Sequence, residues 1–109
     1  MTKTTVETIQ WHGLSGRAYT YWIYPLPPNF TSVPGNYIFA KEVSPGRWRP
    51  IYVGETGYLG QRFDDHHKAR CIQSNGATHI HVHKNERGLA ARMAEEADLV
   101  ARWKPDCNG

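Results

Sequence analysis

Cysteine is scarce in this chain: Cys71 and Cys107 are the two present, which excludes a disulfide-dense scaffold. No run approaches the roughly 20 apolar residues that a membrane span requires. The opening "MTKTTVETIQWHG" lacks the apolar core of a signal peptide. These absences make a reduced, cytoplasmic, soluble domain with no membrane partner the expectation, and Cys107 a free buried thiol. Repeats and low-complexity tracts are missing, and the 10 glycines and 7 prolines fall at separated breakpoints, as turns do. Charge of one sign is modest, with 13 Lys+Arg against 10 Asp+Glu giving +3 at pH 7. That balance permits a nucleic-acid partner without requiring one. With 109 residues, the chain can bury one core and hardly more.

What is present is a succession of short alternating runs followed by helical spacing. "VETIQWHGLSGRAYTYWIYPL" reads as two extended runs joined by "HGLSG", a hairpin in which Tyr19, Tyr21 and Ile23 point one way and Thr20, Trp22 and Tyr24 the other. "PLPPNFTSVPG" is a loop, since its prolines cannot donate to a ladder. "GNYIFAKEV" and "IYVGE" are strands on either side of "SPGRWRP" and pair antiparallel, with Tyr37 and Phe39 on one face and Ile38 and Ala40 on the other. Leu59, Arg62, Phe63, His66 and Ala69 or Arg70 recur at helical steps, which predicts a helix from Tyr58 to about Ser74, ended by "NGA". "THIHVHKN" is a short strand. Asn85 suits the N-cap of a last helix that stops before Pro105. The class is α+β: a small central antiparallel sheet flanked by helices.

Several residue groups carry candidate chemistry. Leu89, Met93, Glu96, Val100 and Trp103 form one inward stripe of the last helix, with Glu95 off it and reaching water. A carboxylate on a packing face needs a partner. A salt bridge to Arg62 or Arg92 would supply one, and so would a role as metal ligand. Tyr37 and Tyr52 are brought close by the strand pairing, either as core residues with rim hydroxyls or as site residues. Gly54, on the face of Tyr52, leaves room for a ligand. Arg62 and His66 share a helix face; a guanidinium fork suits phosphate, and an imidazole exchanges protons near neutral pH. His79, His81 and His83 line one strand face, as zinc ligands, as phosphate-facing groups or as plain solvated residues.

Taken together these residues resemble the GIY-YIG nuclease superfamily over about residues 34 to 109. "GNY" at Gly35 to Tyr37 stands for GIY, and "YVG" at Tyr52 to Gly54 for YIG. Arg62 falls at the position of the family's arginine and His66 at that of a histidine one turn later. Glu96 lies in the last helix, and Asn108 closes a "P..N" ending. Asn36 and Val53 depart from the isoleucines of the two signatures. The resemblance implies a metal-dependent endonuclease acting on DNA, with RNA not excluded. Glu96 would hold Mg²⁺ or Mn²⁺. Tyr37 would orient or deprotonate the attacking water, assisted by His66 or Tyr52. Arg62 would stabilise charge on the phosphate, and Asn108 would brace the site. Gly54, Arg62, His79 and His81 are the expected substrate-binding positions. A non-cleaving nucleic-acid-binding module of the same fold is the alternative. Residues 1–33, an extra N-terminal hairpin and proline-rich loop, fall outside the resemblance.

Overall fold

The computed structural model describes residues 7–26, 33–59 and 67–109. Strands β1 (Thr8–His12), β2 (Ala18–Pro25), β3 (Gly35–Ser44), β4 (Arg47–Thr56) and β5 (His79–Lys84) join two helices, α1 (Ala69–Ser74) and α2 (Leu89–Trp103), and a closing 3₁₀ turn, Asp106–Asn108. The fold is α+β, and every neighbouring strand pair in the order β1-β2-β5-β3-β4 is antiparallel. β3 and β4 pair so that Tyr37 lies opposite Gly54 and Phe39 opposite Tyr52. Because β2 pairs with β5, the first two strands belong to the same sheet. A boundary at 33/34 would therefore cut through one continuous structure.

Strand alternation divides the sheet into two apolar faces. One carries Tyr37, Phe39, Tyr52, Ile80 and Val82 under Leu59, Ile72 of α1 and Cys107. The other carries Trp11, Tyr19, Tyr21, Ile38, Ala40 and Val53 under Leu99 of α2. The second cluster mixes side chains from β1 and β2 with those of β3, β4 and α2. The turn between β1 and β2 is anchored to that helix as well. Ser15 donates its N–H and hydroxyl to the Asp98 carboxylate at 2.8 and 2.6 Å, and the Tyr19 hydroxyl donates at 2.7 Å.

Four expectations need correction. Cys107 is not a free thiol; it is disulfide-bonded to Cys71, tying the 3₁₀ turn to α1. Tyr58 and Leu59 lie outside any helix, and α1 starts at Ala69. Leu59 is held instead by its N–H, which donates to the Val33 carbonyl at 2.8 Å, and by burial in the core. Asn85 does not cap α2, whose N-cap is Gly88. Finally, α2 is rotated relative to the expected stripe: Leu89 and Met93 are about half exposed, at 54% and 53%, whereas Glu95 is 2% exposed.

Candidate active site

The strand tyrosines meet as the alternation requires. Tyr37 on β3 and Tyr52 on β4 project from the same face, and their ring centroids lie 6.1 Å apart. The Tyr37 ring crosses the backbone of β4 at Gly54. A Cβ there would sit 2.5 Å from Tyr37 Cζ, 2.6 Å from its hydroxyl and 2.9 Å from Tyr52 Cε2. The glycine is thus required by close ring approach, and the space it leaves is filled by Tyr37 and Tyr52. That corrects the expectation that Gly54 makes room for a ligand.

β4 is the edge of the sheet, and Asn108 closes that edge at the residue between Tyr52 and Gly54. Its side-chain amide donates to the Val53 carbonyl and its Oδ1 accepts from the Val53 N–H, both at 2.8 Å. This two-point clasp satisfies a backbone pair that an edge strand leaves open. The Cys71–Cys107 disulfide pins the turn that carries Asn108.

Glu96 and Glu55 lie within electrostatic range of the phenols. Burial raises Tyr37 far above the ordinary phenol range, helped by the neighbouring Tyr52, Glu96 and Glu55. Tyr52 is raised by burial and by Glu96, while a hydrogen bond from Tyr37 works in the opposite direction. Glu96 is raised in turn by its own burial and by Glu55. Glu55 accepts from Arg92 Nε at 3.0 Å, so Arg92, named above as a possible partner of Glu96, is engaged elsewhere. Glu55 was not singled out in the sequence, although its position beside Gly54 could have marked it, and Arg92 was named only as a possible partner of Glu96. Arg62 and His66 lie outside the described residues.

Glu96 and the two phenols, all raised, have the character of a cation site: a positive charge beside Glu96 would lower the three together. Among the described residues no three His, Cys, Asp or Glu side chains gather as a metal cage. Glu96, within electrostatic range of the Arg92-paired Glu55, nonetheless offers carboxylate oxygens of the kind Mg²⁺ or Mn²⁺ takes, with water and phosphate completing the shell.

The histidines of β5 stand elsewhere. His81 pairs with Ile38 in the ladder and so shares the α2 face, opposite Tyr37 and Tyr52. It is wholly buried, and its Nδ1 accepts from Trp11 Nε1 at 3.0 Å. Burial, and secondarily His79, push it down to about 3. The remaining nitrogen, Nε2, has no hydrogen-bond partner among the described residues, and the Trp48 ring packs edge-on against the imidazole at 4.6 Å between centroids. His79 makes a 2.8 Å contact with Thr78 Oγ1 and meets the Trp48 ring edge-on. Neither residue reaches the phenol pair, which corrects their assignment as substrate-binding groups there. His83, the third, pairs with Glu95. The three imidazoles do not converge on one ion.

Glu95, expected in water, is the centre of a buried network. The Tyr21 hydroxyl donates to it at 2.5 Å, His83 Nδ1 lies 2.8 Å from one oxygen and 3.0 Å from the other, and Asn85 Nδ2 donates at 3.4 Å. No family model, curated protein or solved structure matches the chain.

Proposed function

We propose that the protein is a metal-dependent endonuclease hydrolysing DNA phosphodiester bonds, on a GIY-YIG-like sheet whose catalytic unit spans residues 34–109 and to which β1 and β2 are an addition. The observation that carries this reading is the close approach of Tyr37 and Tyr52 over Gly54 at the clasped edge of β4, within electrostatic reach of Glu96.

In this reading Glu96, with Glu55 nearby, would hold Mg²⁺ or Mn²⁺, which would supply positive charge to the phosphate oxygens. Tyr37 keeps its proton and orients the attacking water by hydrogen bonding. Tyr52, which accepts from Tyr37, is the phenol whose proton is the easier to move. Arg62 offers its fork of donors to the phosphate, and His66 assists in proton transfer. Asn108 holds β4 in register so that the two phenols stay aligned.

Nicking of supercoiled plasmid and of branched DNA in Mg²⁺ or Mn²⁺ tests it, with single-stranded RNA as a parallel substrate. Wild type is expected to nick, and Glu96→Gln and Arg62→Ala each to lose at least about 100-fold in rate. DNA retarded but left intact by all three proteins equally would replace the enzyme with a binding module. Cleavage that survives Glu96→Gln unchanged would overturn the assignment of the metal ligand.

A further inference from the structure

On the α2 side of the sheet, away from Tyr37 and Tyr52, a cavity of about 550 Å³ opens between the start of β2 and the segment linking β5 to α2. Its lining includes Arg17, Tyr19, His83, Lys84, Asn85 and Arg87. A smaller hollow of about 300 Å³ is also lined by Arg17, Tyr19 and Arg87, with Glu95. Volumes of this order are those of small-molecule sites.

The charges in the lining are uneven. Glu86 is its acidic counterpart on the rim, and it is engaged by Lys84 at 3.7 Å. Arg17 and Arg87 are exposed and make no ion pair among the described residues; Arg17 lies within electrostatic range of Asp98.

The wall between them is built from buried polar groups. Glu95 and Asn85 are 2% and 3% exposed. Asn85 accepts from the Arg87 N–H at 3.2 Å and donates to Asn36 and Glu95, which fixes the backbone that presents Arg87. His83 commits Nδ1 to Glu95, and the Tyr21 ring lies 5.5 Å from its imidazole. The ring is therefore held in one orientation, with Nε2 left for an occupant of the cavity. As the imidazolium, His83 donates Nδ1–H to Glu95 and Nε2–H to an occupant. With Arg17 and Arg87, which make no ion pair among the described residues and line the same cavity, it forms a donor set for phosphate oxygens.

We propose that this cavity binds a phosphate group, with Arg17 and Arg87 as its charged donors and His83, positioned by Glu95, contacting the bound oxygens through Nε2. The ligand class is the phosphate ester, as a free nucleotide or as the backbone of a nucleic acid. The site gives the first hairpin a function: β2 supplies Tyr19 and the turn before it supplies Arg17. It does not depend on the phenol site, which lies on the opposite face of the sheet.

Side-chain NMR of ¹⁵N-histidine-labelled protein tests the proposal, with the His83 signals assigned from His83→Gln. Inorganic phosphate, a nucleoside 5′-monophosphate and a short oligothymidylate are titrated at matched ionic strength. A saturable shift of the His83 nitrogens is expected with at least one probe, weakened at least about tenfold in Arg17→Ser/Arg87→Ser and kept in Glu96→Gln. Saturation by the monophosphate marks a nucleotide site, and saturation by the oligonucleotide alone marks a backbone site. No saturable shift with any probe, or an unchanged midpoint in the double variant, would overturn the proposal. Loss of nicking in Glu96→Gln with this response intact separates the two sites.

Discussion

His81 shows how far one buried side chain can set the acid stability of a small domain. Its ordinary value is 6.5, and burial lowers it to about 3 in the folded protein. The unfolded chain therefore binds a proton between those values that the folded one refuses, so stability must fall as the pH drops through that window. From about pH 7.5 to about pH 5 the loss attributable to this residue is about 2 kcal/mol. Asp98 moves stability in the same direction: its carboxyl is lowered by Ser15 and Tyr19, and the stabilisation is lost as it is protonated. The variant His81→Gln separates the two contributions. Urea titrations across this range are expected to show an acid-side decline shallower in His81→Gln by about 2 kcal/mol. An identical decline in both proteins would mean that His81 takes up its proton without unfolding.

Among the elements, β3 and β4 were the most legible in the sequence and α2 the least. A two-residue period needs no partner to be recognised, so the facing of Tyr37 and Phe39 against Ile38 and Ala40 follows from the strand alone. The phase of α2 does not. Hydropathy places Leu89 and Met93 inward and Glu95 outward, but Glu95 is compensated by Tyr21 from β2 and by His83 and Asn85 at the end of β5. Such a network comes from strands distant in sequence, and no local spacing announces it. The site inherits this split: the phenols, Gly54 and Asn108 come from short motifs, while Glu55 and its pairing with Arg92 emerge only from packing. The sequence suggested room for a ligand at Gly54, whereas the structure fills that space with the two rings. The ring contacts predict that Gly54→Ala destabilises by about 1–3 kcal/mol through overpacking and separates the two phenols. Denaturant melts measure the first effect, and near-ultraviolet circular dichroism of the tyrosines reads the second. A variant with unchanged spectrum and stability would show that the rings move aside at no cost.

At the level of the whole molecule, the sheet joins what the sequence divides. The proline-rich loop looks like a boundary, yet β2 pairs with β5 and the α2-side cluster draws on both parts. Long-range pairing between residues such as Trp22 and Val82 has no signature in either strand. The disulfide is a similar case. Two cysteines do not reveal whether they meet, and the free-thiol expectation failed because α1 and the 3₁₀ turn converge on the same face of the sheet. The covalent link is separated by 36 residues in sequence, and closing a loop of that length removes enough entropy from the unfolded chain to be worth about 3–4 kcal/mol. It also holds the turn from which Asn108 clasps Val53. Protein isolated without reductant is therefore expected to titrate no free thiol under denaturing conditions, and Cys71→Ser/Cys107→Ser to unfold with about 3–4 kcal/mol less stability. If the clasp depends on this link, amide exchange at Val53 quickens in the double variant by more than at Val82, a β5 residue paired on both sides. Equal acceleration at both positions would assign the disulfide to global stability alone, leaving the edge of β4 to be held by Asn108 without covalent help.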